Sequence, residues 1–63
     1  MENVVSTALK YEGADYEFTV ALAPEVTLTG VIVHIRENIY RLTGAHFEYY
    51  FDATKVLHIH KRN

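Results

Sequence analysis

Val26-Thr27-Leu28-Thr29-Gly30-Val31-Ile32-Val33-His34-Ile35 is the stretch that decides the fold. Val26, Thr27, Thr29, Val31, Ile32, Val33 and Ile35 are β-branched; such side chains lose freedom in a helix and pack well on a pleated surface, so the run reads as one strand. Ten residues is long for a strand, and Gly30 stands inside it. In a flat sheet a central glycine is a weakness. Where one strand must bend to serve both sides of a small barrel, the missing side chain is what permits the bend. The rival is a helix over residues 28–42, for which Ile32, Ile35, Ile39 and Leu42 form a stripe. Gly30 and the β-branched content count against it.

Working outward, the period is two on the N-terminal side as well. Phe18, Val20 and Leu22 alternate with Glu17, Thr19 and Ala21, the pattern of a half-buried strand. Pro24 has no N–H to give a ladder, so the chain turns around Ala23-Pro24-Glu25. Before that, Asn3 is placed to cap a short helix with an apolar stripe of Val4, Val5, Ala8 and Leu9, and Gly13 is placed to end it in the left-handed conformation. The competing reading of this segment is a first strand, because Val4 and Val5 are β-branched. On the C-terminal side Arg36-Glu37-Asn38 reads as a polar turn, Ile39–Thr43 as a short strand and Gly44 as another turn. Residues 46–51 form an aromatic strand, Asp52-Ala53-Thr54 a connection, and 55–60 the last strand. The fold class expected is mostly β: a short N-terminal helix, then a five-stranded, strongly bent antiparallel small barrel, in one domain spanning residues 1–63.

A 63-residue chain buries only ~60% of its unfolded surface, so its own core gives marginal stability. The absence of cysteine removes a disulfide framework, leaving oligomerisation as the expected extra source of stability. A net charge of −2 does not by itself call for nucleic acid. Its distribution is uneven. Glu2, Glu12, Asp15, Glu17 and Glu25 face a single Lys10 in the first 25 residues, whereas Lys55, Lys61 and Arg62 join His58 and His60 at the other end, with no acid after Asp52. The apolar runs fall far short of the ~20 residues needed to span a bilayer, and no basic segment leads into an apolar one at the N-terminus. The expectation is a soluble, unprocessed, cytoplasmic chain with no membrane partner.

Two segments resemble the motifs of a known family. Phe18-Thr-Val-Ala-Leu22 followed by Val26-Thr-Leu-Thr-Gly-Val-Ile32 resembles the first Sm motif, an aliphatic strand, a variable turn and an apolar-x-Gly-x-apolar core. Tyr50-Phe-Asp-Ala-Thr-Lys-Val-Leu57 resembles the second, most nearly in its Hfq form. With the helix and the order of strands, the resemblance to the Sm-like proteins (Sm, LSm and bacterial Hfq) runs from Val4 to Arg62. It implies a homo-oligomeric ring of about five to seven subunits that binds single-stranded RNA without catalysis and without a cofactor.

The departures from those motifs bear on the ligand. Arg36 stands where the family has aspartate, Asn38 where it has a base-stacking aromatic or histidine, and Tyr40 near its asparagine; with a shorter loop, Asn38 is itself that asparagine. Phe51 and Asp52 replace the family's basic RNA contacts. Recognition of single-stranded RNA needs flat faces for bases and cations for phosphates. Tyr40 and Phe51 are the candidates for the first; Arg36, Lys55, Lys61 and Arg62 for the second. Core packing is the competing reading for both aromatics, and a solvated tail for the last two cations.

The strand His46-Phe47-Glu48-Tyr49-Tyr50-Phe51 carries large side chains on both faces, which an edge open to water does not. The resemblance implies that it pairs with the last strand of a neighbouring subunit, through Phe47, Tyr49 and Tyr50 on one side and Val56, Leu57 and Ile59 on the other. The alternative is an internal hairpin of the two strands. His58 and His60 share a strand face roughly 7 Å apart, but strand alternation produces such pairs often, and no metal site is expected. With no nucleophile motif and no phosphate-binding glycine loop, no catalytic residue is expected either. The rival function is a small protein-interaction or host-inhibitor module, of viral or plasmid origin, that docks its aromatic strand on a partner by sheet extension.

Overall fold

The computed structural model describes residues 2–62. A helix, α1 (Val4–Glu12), precedes five strands, β1 (Glu17–Ala23), β2 (Val26–Arg36), β3 (Ile39–Thr43), β4 (Glu48–Asp52) and β5 (His58–Lys61), with a 3-10 turn, Ala53–Lys55, between the last two. The helix reading of the N-terminus holds over the strand reading, and the reason is its cap. The Asn3 side chain accepts the Ser6 N–H at 2.8 Å while the Ser6 hydroxyl accepts the Asn3 N–H at 2.8 Å, a reciprocal capping box. At nine residues the helix is too short to persist alone. It is held by Val5, which is fully buried, and by Ala8 and Leu9 packed against the core. Gly13 ends it with φ +100°, as a glycine permits, but its ψ of 137° lies outside the left-handed helical basin expected there.

β2 is divided between two neighbours. Its first half pairs with β1, from Val26 opposite Ala23 to Val31 opposite Glu17; its second half pairs with β3, from Val31 opposite Thr43 to Arg36 opposite Ile39. Only Val31 belongs to both ladders, and Gly30 precedes it. All pairings are antiparallel and the strand order is β4-β3-β2-β1-β5. The closed, strongly bent barrel expected from sequence is corrected here: β4 pairs only with β3 and β5 only with β1, so the sheet is open. The internal β4–β5 hairpin is absent for the same reason, since the two strands occupy opposite edges.

Phe18 and Val20 of β1, Ile32 of β2, Tyr40 and Leu42 of β3, Phe51 of β4 and Val5 of α1 form one apolar cluster. Each such side chain contributes roughly 1.5–3 kcal/mol when fully buried. The 3-10 turn closes one end of it. Ala53, buried, donates its N–H to the Asn38 carbonyl at 2.7 Å, and Leu57 donates to the Ala21 carbonyl at 2.8 Å. These two bonds occupy the chain between Asp52 and His58, which is why β5 begins later than the sequence pattern places it. β4 begins later too, because Gly44 donates to the Phe47 carbonyl at 2.9 Å and the turn so formed takes up His46 and Phe47.

Candidate functional site

Two ends of the sheet carry the residues that the sequence singles out. At the first, the β2–β3 turn meets the 3-10 turn through the Ala53–Asn38 bond, bringing the segments of Arg36, Asn38, Asp52 and Lys55 together. Asn38 is largely structural: its carbonyl accepts from Ala53, and its side-chain oxygen accepts from Asn3 Nδ2 at 3.2 Å. Asp52 caps the 3-10 turn, accepting the Thr54 hydroxyl at 2.7 Å and the Thr54 N–H at 2.8 Å. The Thr54 hydroxyl, then the Thr54 N–H, and more weakly the charge of Lys55, hold the Asp52 carboxyl below its ordinary value. Arg36 is exposed and lies 3.1 Å from the Glu37 carboxylate, a surface pair of little energetic weight. Lys55 is exposed.

Lys61 and Arg62 are not part of this end. Arg62 donates its backbone N–H to the Glu17 carbonyl and Leu57, just after the 3-10 turn, donates to the Ala21 carbonyl, so the chain leaving that turn and the chain carrying Arg62 meet β1 four residues apart, about 13 Å. At their own end Lys61 Nζ sits 3.8 Å from the centroid of the Tyr16 ring, and Arg62 lies 3.1 Å from the Glu17 carboxylate. The cations thus fall into two groups, not one basic face.

Tyr40 and Phe51 are 3% and 6% exposed, with ring centroids 6.1 Å apart. Neither presents a free face to a base, so the stacking role expected of them from sequence has no open surface in this subunit. An exposed ring stands beside them that the sequence pattern did not single out. His34 pairs with Tyr40 across β2 and β3, is exposed, and lies with its ring centroid 4.7 Å from that of Tyr40. Its Nε2 is 2.7 Å from the Glu37 carbonyl oxygen. A carbonyl only accepts, so Nε2 carries the proton and donates. Glu37 reaches this position with φ +48°, an uncommon conformation for a residue with a side chain. A histidine beside an aromatic position on the adjacent strand was the available signal.

The expected interface residues divide by exposure. Phe47, Tyr49 and Tyr50 of the β4 segment are exposed, Tyr50 and Leu57 each at 57%, whereas Val56 and Ile59 pack against the core. Beside β5 runs a groove of about 590 Å³ floored by Val4, Thr7, Ala8, Leu57 and Ile59. The Arg41 Nε, opposite Tyr50 in the register, is buried without a hydrogen-bond partner. His58 and His60 stack with centroids 5.9 Å apart, and among the described residues no three His, Cys, Asp or Glu side chains gather as a metal site. No helix among them is long and apolar enough to cross a membrane.

A helix followed by five antiparallel strands in this order is consistent with the Sm-like arrangement. No family model, curated protein or solved structure matches the chain.

Proposed function

We propose that the chain is the subunit of an Sm-like homo-oligomeric ring that binds single-stranded RNA without catalysis. The observation that carries this reading is the strand order, which leaves β4, bearing exposed Tyr49 and Tyr50, and β5, immediately preceded by exposed Leu57, as two unpaired edges of one sheet. Unpaired edges with apolar side chains are templates for another strand. Pairing β4 of one subunit with β5 of the next satisfies both edges at once, and repetition of that head-to-tail contact closes a ring when the rotation allows it. Curvature within the subunit is supported by the link between the edges. A flat five-stranded sheet separates its outer strands by about 19 Å, yet residues 53–57 make the crossing with three of them wound into a 3-10 turn.

For RNA, the supporting feature is the end where the Ala53–Asn38 bond brings the segments carrying Arg36 and Lys55 together, since cations beside loop backbone suit phosphates. Burial of Tyr40 and Phe51, together with the net charge of −2, favours the second reading, a module that captures a protein by strand addition at β4. Light scattering with and without A-rich and U-rich oligonucleotides separates the two. The expected result is a ring whose mass is independent of concentration in the micromolar range and which retains an oligonucleotide. A monomer at those concentrations excludes the ring. An intact ring that retains no oligonucleotide at low salt and pH near 6 excludes RNA and leaves protein capture.

A further inference from the structure

We infer that the open face of His34 is a stacking platform for one nucleobase, an inference that rests on the RNA reading above. The argument starts from the register: His34, Tyr40 and Phe51 are aligned across β2, β3 and β4, and their rings succeed one another at 4.7 and 6.1 Å. The inner two are buried, and the row ends in solvent at His34. Its ring is fixed twice, by contact with Tyr40 and by donation from Nε2 to the Glu37 carbonyl. A flat ring held in place loses little freedom when a base settles on it, and an aromatic face accepts any base. With Nε2 protonated, a neutral His34 keeps Nδ1 as an acceptor, available to an amino group of an adjacent base. The platform lies on the strand leading into the turn that carries Arg36 and receives Ala53, so cations for the flanking phosphates are supplied by the same end of the sheet. The strained Glu37 backbone has a role in this arrangement, because it turns the carbonyl that orients the ring.

The test uses the intact chain and a fluorescein-labelled single-stranded RNA, read by anisotropy at low salt, with oligomer mass and melting temperature followed in parallel. His34→Ala should weaken binding by roughly 5- to 100-fold, the range for losing one stacked base, with the salt dependence unchanged. His34→Phe should retain most of the affinity. Because the chain contains no tryptophan, His34→Trp supplies a local reporter, and its emission should be quenched saturably by RNA at the same concentrations. Wild-type binding with full affinity in His34→Ala, or unquenched His34→Trp bound to RNA, overturns the platform and leaves the RNA reading intact. No binding by the wild-type protein overturns both. If His34→Ala fails to fold, the phenylalanine and tryptophan variants decide alone.

Discussion

Gly30 has no room for a side chain against Thr43: a Cβ built there falls 2.7 Å from the Thr43 carbonyl carbon and 2.8 Å from Leu42 Cδ2. The obstruction is main chain, which cannot swing aside as a flexible side chain does, and it sits where β2 changes partners from β1 to β3. Gly30→Ala and Gly30→Val should therefore destabilise the subunit although both residues are better strand formers than glycine. Overpacking of this kind costs about 1–3 kcal/mol, which for a domain of this size lowers the melting temperature by roughly 5–20 °C. An unchanged or raised melting temperature in Gly30→Val removes the close approach as a cause of the strand's division.

Asn3 joins the helix to the β2–β3 turn, and its two roles separate by substitution. Asn3→Ala loses the acceptor for the Ser6 N–H and the donor to Asn38, and should cost about 1–2 kcal/mol with a loss of helical circular dichroism. Asn3→Asp keeps the cap and suits the helix dipole, so it should stay within about 0.5 kcal/mol of wild type. Urea midpoints measure both. Equal losses in the two variants would place the energy in the Asn38 contact instead of the cap.

The elements were legible because their signals are local: alternation in residues 17–22, the β-branched run broken by Gly30, and the Asn3 cap each act within a few residues. Closure was not, because it depends on which edges pair, and residues 46–51 carry apolar groups on both faces whether the partner is internal or another subunit. Alternation also distinguishes two faces without saying which one is inside. Tyr40 and Phe51 read as plausible stacking residues for that reason, and the structure buries both while exposing their neighbours Tyr49 and Tyr50. His34 was missed because its importance comes from the residue opposite it in the register, Tyr40, six positions away along the chain.

Leu57 and Ile59 should respond differently to charge. Leu57 is exposed, so Leu57→Asp should shift the mass measured by light scattering toward monomer at micromolar concentration while changing subunit stability by about 0.5 kcal/mol or less. Ile59 packs on the core, and Ile59→Asp should also lower the melting temperature sharply. A Leu57→Asp protein with wild-type mass would move the interface away from the β5 edge.

Asp52 contributes to an acid-dependent share of stability. Its folded value is held below the ordinary 3.8, so the contribution is present above that value and is lost as pH falls through the lower folded one. The stability difference between wild type and Asp52→Asn should be largest near neutral pH and shrink below about pH 4, followed by thermal melts across a pH series. A difference that stays constant into acid would assign the effect of Asp52→Asn to the changed geometry of the cap rather than to charge.

The separation of the cations into two groups sets the last prediction. Arg36 and Arg62 each lie 3.1 Å from a carboxylate, Glu37 and Glu17, and Lys61 covers the Tyr16 ring, so position decides between the two groups: Lys55 ends the 3-10 turn that bonds to the β2–β3 turn, next to Arg36 and the His34 strand. Phosphates flanking a base on His34 should therefore be met by Arg36 and Lys55. In oligonucleotide titrations across salt, the Arg36→Gln, Lys55→Gln double variant should weaken binding uniformly across sequences and flatten the slope of log affinity against log salt by about 0.7 for each phosphate no longer neutralised. The Lys61→Gln, Arg62→Gln double variant should leave that slope nearly unchanged. The reverse result, with the slope carried by Lys61 and Arg62, would place the phosphates at the opposite end of β1, next to Tyr16, and would require the bases to be read there.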